Sequence, residues 1–161
     1  MEVLLAKPQT RWVAHRVAHA PGSTAAGLAA IGDAVRGLGV PLAGVAADGS
    51  GLSRDDRRSA REWRSLLQAA LPRPWAERLV GSLPLAGRTG TLVRRFAGTA
   101  AEANLRAKTG WIDEARSLSG YLTTAGGRHV VFSVIINGTT PTSQALNALD
   151  GIVAAIAADH S

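Results

Sequence analysis

The chain has 161 residues, one domain's worth of polypeptide, which is enough to bury roughly 68–70% of its unfolded surface. It contains no cysteine, which excludes disulfides and thiolate metal sites, and it has no apolar run of about 18 residues, which excludes a transmembrane helix. Its net charge of +6 would suit a polyanionic partner. The arginines are densest at Arg57, Arg58, Arg61 and Arg64, but acidic residues interrupt them, so we expect a solvated helix face and no nucleic-acid interface.

The first 21 residues suggest two short helical pieces. "EVLLA" is interrupted by Pro8, and "TRWVAHRVAHA" ends at Pro21. His15 and His19 have the i, i+4 spacing that can bind a metal, but no third ligand is near in sequence, so we predict no metal and no cofactor. The start lacks a basic region followed by an apolar one, so no signal peptide is expected in this sequence.

The next part of the chain is predicted to be helical. Helices are expected within 22–40, 59–71 and 74–82. Ser23 or Thr24 can cap the first helix. Ser59 and Glu62 have the Ser-x-x-Glu spacing of a capping box at the start of the second. A turn-rich connection lies between these two helices.

After residue 103 the pattern changes to short apolar and β-branched runs, which favour strands. We predict strands in 103–110, 117–124 and 129–137, separated by "WIDEAR" and by a tight turn at "AGGR". A closing amphipathic helix is expected in 142–160. Its apolar positions are Leu146, Leu149, Ile152, Val153 and Ile156. The class is therefore α+β, with a small antiparallel sheet of about three strands and a helix packed on it.

Lys108 stands out because the chain has only one other lysine, Lys7, and otherwise uses arginine for positive charge. A lysine ammonium is compact and can lose its proton when desolvated, whereas a guanidinium stays charged. Lys108 precedes Thr109 and Gly110. A tripeptide of this kind is a weak motif by itself, and a solvated lysine at a strand end is the alternative interpretation.

Four stretches together give that tripeptide a context: "ADGSGLSRDDRRS", "LPLAGRTGTLVRRFAGT", "LRAKTGWIDEARSLSGYLTTAGGRHVVFSVIIN" and the closing helix. In order and spacing they resemble the C-terminal third of penicillin-binding D-alanyl-D-alanine carboxypeptidases/endopeptidases, the low-molecular-mass serine enzymes that trim peptidoglycan. The resemblance implies a partial serine β-lactamase/penicillin-binding transpeptidase-like fold. Residues 1–161 would be a single domain, the C-terminal portion of the catalytic domain. The family is extracytoplasmic, but without a signal peptide this chain would be cytoplasmic if expressed as given.

The resemblance also implies roles at the Lys-Thr-Gly motif. Lys108 would attract the substrate's terminal carboxylate, Thr109 would donate a hydrogen bond to it, and Gly110 would let the substrate backbone approach. A main-chain amide near Trp111 or Ile112 would contribute to an oxyanion hole. Trp111 departs from the family pattern and would narrow the cleft or stack on a sugar or lactam ring. The remaining tryptophans, Trp12, Trp63 and Trp75, are expected in the core.

Two family motifs are missing from the sequence. No serine is followed three positions later by lysine, so the Ser-x-x-Lys nucleophile motif is absent, and the Ser-x-Asn motif would be expected before Met1. We therefore expect a truncated chain that is inactive alone. Three functions remain open: a serine-type D-alanyl-D-alanine carboxypeptidase homologue acting on stem peptides, a non-catalytic remnant that binds a peptidoglycan peptide or a β-lactam, and a basic nucleic-acid binder.

The family sheet has further strands beside its last one, so the segment "HVVFSVII" would be left as an unpaired apolar edge here. Such edges tend to pair with other chains. We therefore expect self-association, or pairing with a separately supplied N-terminal portion.

Overall fold

The computed structural model describes residues 22–138 and 142–161. They form two compact units, one ending at Ala69 and one beginning at Ala70, and each is described by itself. The expected helical pieces before Pro21, together with His15 and His19, lie outside the described residues.

The first unit contains helix α1 (Thr24–Gly37) and most of helix α2 (Ala60–Ala70). The Ser23 hydroxyl caps α1 by accepting a hydrogen bond from the Ala26 amide at 3.1 Å. Gly39 follows the helix with a φ of 80°, a conformation that glycine adopts at little cost and that ends helices. The sequence prediction for α1 is confirmed.

Glu62 links the start of α2 to the loop before it. The capping box is confirmed: the Ser59 amide donates to Glu62 Oε2 at 2.8 Å, and the Glu62 amide donates to Ser59 Oγ at 3.2 Å. Glu62 Oε1 also accepts from the amides of Ala43 and Gly44, each at 3.0 Å, and Arg58 pairs with it at 3.2 Å. These bonds, the Ser59 amide first among them, lower the pKa of Glu62 to about 2.

The second unit contains helix α3 (Ala76–Ser82), a 3₁₀ turn (Gly90–Leu92), strands β1 (Arg106–Ile112), β2 (Ala115–Thr123) and β3 (His129–Asn137), and helix α4 (Thr142–Ala157). The strands form an antiparallel sheet in the order β1-β2-β3. The predicted α+β class and the three-stranded sheet are confirmed.

The first hairpin is tighter than the sequence predicts. "WIDEAR" does not separate the strands, because Trp111 and Ile112 continue β1 and Ala115 and Arg116 begin β2, so only Asp113 and Glu114 form the turn. Residues 103–105 precede β1 and are not part of the strand. Ala103, with a φ of 55°, breaks extended geometry there.

The core of the second unit lies between β2 and α4. Alternate residues of β2, including Leu118 and Leu122, are buried on one face of the sheet. Helix α4 contributes a stripe at i, i+4 spacing that consists of Ala145, Leu149, Val153 and Ala157. Leu149 and Val153 are therefore buried as expected. Ile152 is predicted to lie on the apolar face of the helix, but it is 45% exposed. It is turned about 100° around the helix axis from the buried Val153.

Two tryptophans that were expected in the core are partly exposed: Trp63 at 44% and Trp75 at 42%. Trp63 lies in the first turn of α2, and Trp75 is the N-cap residue of α3. Few neighbouring turns are available to cover a large ring at the end of a helix, which explains the difference.

Candidate ligand-binding edge of strand β1

Lys108, Thr109, Gly110 and Trp111 follow one another on β1, which forms one edge of the sheet. The segment 84–86 covers the start of that edge. The Ala86 amide donates to the Leu105 carbonyl at 2.9 Å, and the Ala107 amide donates to the Pro84 carbonyl at 3.1 Å. This cover ends at Ala107, so the four predicted site residues begin where the pairing with 84–86 stops.

The same bonds establish which amides of β1 point outward. In an antiparallel ladder, alternate residues point their amides to the same side. The Ala107 amide points to Pro84 and away from β2, so the amides of Thr109 and Trp111 also point outward, whereas that of Ile112 points to β2. The sequence analysis expects an oxyanion-hole amide near Trp111 or Ile112, and of these two residues only Trp111 has an amide that points away from β2.

The side chains of Lys108 and Thr109 lie on opposite faces of β1 but flank the same edge. Lys108 is opposite Ser119, and Thr109 is opposite the buried Leu118. Lys108 is exposed, and its Nζ donates to the Thr109 carbonyl. The Thr109 hydroxyl donates to the Thr91 hydroxyl at 3.1 Å, so a second hydroxyl from the 3₁₀ turn lies beside the motif.

Gly110 has a packing reason to be glycine as well as the expected functional one. It is opposite Ser117, and a Cβ added at Gly110 would lie 2.2 Å from Ser117 Oγ. The serine hydroxyl can rotate away, so this restriction is softer than a clash with main chain. A substrate backbone approaching this edge would meet no side chain at Gly110.

Trp111 has a partner that the sequence analysis missed. Arg116 is directly opposite Trp111 in the β1–β2 register, and its guanidinium carbon lies 4.1 Å from the centroid of the indole ring, within cation–π range. Trp111 remains 58% exposed while Arg116 is 6% exposed. The six-residue sequence "WIDEAR" could have revealed this pair only if Asp113 and Glu114 had been recognised as the turn.

A cavity of about 390 Å³ lies elsewhere in the second unit and contains none of the predicted site residues. It is lined by Leu71, Val80, Asn104, Arg106, Tyr121, Leu122, Thr123, His129, Val130 and Val131. Burial raises the pKa of Tyr121. The Arg106 guanidinium donates to the carbonyls of Leu83, at 3.2 Å, and Gly81, at 3.4 Å. These hydrogen bonds connect Arg106 to the end of α3 and the residue that follows it.

Within 22–138 and 142–161, no three His, Cys, Asp or Glu side chains come together in a way that could hold a metal ion. His129 is exposed, and its Nδ1 is 3.0 Å from the Thr123 hydroxyl. No helix in these ranges is long and apolar enough to cross a bilayer.

Comparisons with known proteins agree with the family resemblance. Residues 4–159 match the D-Ala-D-Ala carboxypeptidase 3 (S13) family. The chain is 43% identical over 123 residues to a D-alanyl-D-alanine carboxypeptidase of Actinomadura sp., an alignment that covers 73% of this chain and 23% of that protein. It is 35% identical over 154 residues to carboxypeptidase DacB of Mycolicibacterium smegmatis, which covers 89% of this chain and 33% of that protein.

The fold matches a solved penicillin-binding protein. Penicillin-binding protein 4 of Haemophilus influenzae, in its complex with a β-lactam, superposes with a TM-score of 0.82 at 26% identity. The match covers 92% of this chain and 36% of that protein. The chain thus spans 23% and 33% of the length of the two carboxypeptidases compared.

Proposed function

The chain belongs to the D-Ala-D-Ala carboxypeptidase 3 (S13) family, and we propose that its β1 edge is the carboxylate-binding part of a serine-type D-alanyl-D-alanine carboxypeptidase that acts on peptidoglycan stem peptides. One observation carries the proposal. The Lys108–Thr109–Gly110 run begins where the pairing of β1 with 84–86 ends, so its outward groups lie beside an accessible stretch of strand.

Each group at this edge has a chemical role. The Lys108 ammonium attracts the terminal carboxylate of the peptide, and the Thr109 hydroxyl donates to it. Hydrogen bonds to a charged group are stronger than neutral ones. In the structure the Thr109 hydroxyl donates to Thr91. Both groups are hydroxyls, so Thr91 can take over as donor and leave the Thr109 proton for the carboxylate.

The main chain of this edge determines how a bound peptide is oriented along β1. The outward groups of Thr109 and Trp111 lie two residues apart, about 6.6 Å along the strand. A peptide that places its carboxylate at Lys108 and Thr109 therefore brings its scissile carbonyl towards the Trp111 amide. That amide is the donor we assign to the developing oxyanion.

Acylation is not a step that these 161 residues perform in this proposal. The sequence contains two lysines and no Ser-x-x-Lys, and this motif supplies the nucleophile and its base in enzymes of this kind. The same observation favours a second function for the chain by itself, the reversible binding of a stem peptide or a β-lactam. We further propose that the complete enzyme works outside the cytoplasm, where its wall substrate is found.

The proposal is tested by measuring the binding of D-Ala-D-Ala to the full chain by calorimetry. We expect Lys108→Ala to weaken binding by about tenfold or more, because it removes a charge-assisted bond. Arg78→Ala is the matched control: it removes one positive charge from an exposed position on α3, and binding should be unchanged. If both variants lose the same affinity for D-Ala-D-Ala, the binding is a nonspecific electrostatic effect and not a property of the β1 edge.

A fluorescent penicillin separates the two functions in the same preparation. Reversible binding that Lys108→Ala removes supports the binding function, whereas a covalent adduct that survives denaturation reveals a nucleophile outside our assignment. The nucleic-acid alternative predicts that DNA affinity falls steeply with salt. A chain that binds DNA in this way and ignores D-Ala-D-Ala contradicts the proposal.

We also propose that β3 pairs with another strand, either of a second copy or of an N-terminal portion. Among the described residues β3 pairs with β2 alone, and its sequence is mostly apolar. Size-exclusion chromatography of the purified chain tests the pairing with a second copy. A monomer with a cooperative, high-temperature melt would count against both forms of pairing.

A further inference from the structure

The cavity of the second unit is built on the face of the sheet that is opposite α4. Arg106, Tyr121 and Val131 are neighbours in the register of the three strands and form one row across its floor. Thr123 and His129 are paired two residues further on and belong to the same lining. The buried residues of β2, which pack with α4, alternate with these positions. All three strands therefore contribute to the floor.

Aliphatic side chains make up half of the cavity lining. Five of its ten residues are Leu71, Val80, Leu122, Val130 and Val131. Leu71 is 45% exposed, so part of this apolar surface is in contact with water. An aliphatic group that enters the cavity would remove that surface from water, which favours binding.

Arg106 gives the cavity a positive charge, and none of the ten lining residues is acidic. Its Nη1 donates to the carbonyls of Gly81 and Leu83, which fixes the position of the guanidinium. These are its only acceptors among the described residues, so Nε and Nη2 remain available to an anion. Burial raises the pKa of Tyr121, so the phenol stays neutral and adds no negative charge.

Hydrogen bonds hold the lining together at this end of the sheet. The Asn104 Oδ1 accepts from the Thr123 amide at 3.2 Å, and the Asn104 Nδ2 donates to the Thr123 carbonyl. The Thr123 hydroxyl lies 3.0 Å from His129 Nδ1. These contacts connect the residues before β1 to the end of β2 and the start of β3, so the cavity is formed before a ligand arrives.

The volume is that of a site for a small molecule. It is about 390 Å³, within the range of about 300–1,000 Å³ that is typical of such sites. About ten non-hydrogen atoms, each taking the 30 Å³ or so of a liquid water molecule, would fill most of it. Lys108 follows Arg106 on the same face of β1, about 6.6 Å further along the strand, and does not line the cavity.

We propose that this cavity binds an aliphatic carboxylate of about eight carbons, with the carboxylate on Nε and Nη2 of Arg106 and the chain against Leu71, Val80 and Val131. A guanidinium presents two parallel donors that match the two oxygens of a carboxylate. An amine would meet no acidic partner in this lining. The inference does not rest on the proposed function of the β1 edge, because Lys108 and Thr109 take no part in it.

NMR titration of the full chain with sodium octanoate tests the site. We expect the amide signals of Tyr121, Thr123 and Val131 to shift. Octylamine has the same chain with the opposite charge, and acetate has the same charge without the chain, so each should bind at least about tenfold more weakly. Absence of these shifts with octanoate, or equally tight binding of octylamine or acetate, overturns the proposal.

Two substitutions test the two parts of the site. Arg106→Gln should weaken octanoate binding about tenfold, because it removes a charge-assisted pair of hydrogen bonds. Arg94→Gln removes a positive charge from an exposed residue outside the cavity and should change nothing. Val131→Phe fills the cavity and should remove octanoate binding even if Arg106→Gln fails to fold. Val93→Phe adds the same bulk at a residue that is 50% exposed and should keep it.

Lys108→Ala separates this site from the β1 edge. It should leave octanoate binding unchanged, and Val131→Phe should leave D-Ala-D-Ala binding unchanged. If Lys108→Ala loses octanoate, the carboxylate binds at the β1 edge, and the cavity site is overturned while the proposed function stands. A folded Arg106→Gln or Val131→Phe chain that binds octanoate as tightly as the wild type also overturns the cavity site.

Discussion

The two edges of the three-stranded sheet are chemically different. The β1 edge carries a cation, a hydroxyl and a glycine in succession, and 84–86 cover it up to Ala107. The β3 edge runs through "HVVFSVIIN", which offers a mostly apolar strand and pairs with β2 alone among the described residues. The backbone donors and acceptors on the outer side of an edge strand are available to ligands or to other chains unless another segment covers them.

The difference shows how side chains determine what a sheet edge can bind. On β1 a positive charge and a short hydroxyl beside the outward amides favour a small anionic ligand over a protein strand, because a continuous strand partner would bury the Lys108 charge. On β3 half-buried apolar residues favour another strand. In our proposal the first edge therefore binds a ligand and the second binds a protein strand.

The largest expected effect comes from Gly120, which lies between these edges. A Cβ there would be 2.1 Å from the Arg106 carbonyl oxygen and 2.6 Å from the Ala107 Cα. Main-chain atoms cannot rotate away, so Gly120→Ala should destabilise the sheet by roughly 3 kcal/mol. Chemical denaturation, followed by far-UV circular dichroism, measures this loss.

Gly110→Ala is the matched comparison, because its clash at 2.2 Å is with a rotatable serine hydroxyl. We expect it to cost less than about 1 kcal/mol of stability but to weaken D-Ala-D-Ala binding, since the new methyl group lies on the same face of β1 as the Lys108 side chain. Equal destabilisation by both substitutions would show that Gly110 is only a packing requirement.

The β3 edge is tested by a charge. Ile135 is half-buried on β3, and Ile135→Lys should convert a self-associated chain to monomers, because a lysine on an edge strand opposes pairing. Multi-angle light scattering reports the mass. Val93→Lys is the control, because Val93 is 50% exposed and lies outside the strands. It should leave the association unchanged. A wild-type chain that is monomeric at all concentrations would remove the basis for this prediction.

The smallest expected effect is that of a single hydroxyl. Thr109→Val should weaken D-Ala-D-Ala binding about fivefold, the value of one hydrogen bond, because Lys108 and the outward amides remain. Thr109→Ser should restore it. If Thr109→Val binds as tightly as the wild type, the Thr109 hydroxyl takes no part in binding the carboxylate.

Local features of this chain could be predicted from the sequence. The cap of Ser23 and the Ser59–Glu62 box are fixed by residues within a few positions of each other, and their energetics are equally local. The sequence also gives the order of Lys108, Thr109 and Gly110 along the chain, and their role in binding stays a prediction.

Two features of this edge were decided only by the tertiary structure. They are the register of β1 against β2 and the part of β1 that residues 84–86 cover. Trp111 faces Arg116 because the hairpin turns at Asp113 and Glu114, and a shift of one residue would have placed the indole on the other face. The stretch of β1 that 84–86 leave uncovered begins at Lys108 because Ala86 and Pro84, about 20 positions earlier in the chain, bond to Leu105 and Ala107. The sequence by itself determined which groups are present in order along β1. Packing between distant segments determined which of them reach solvent together.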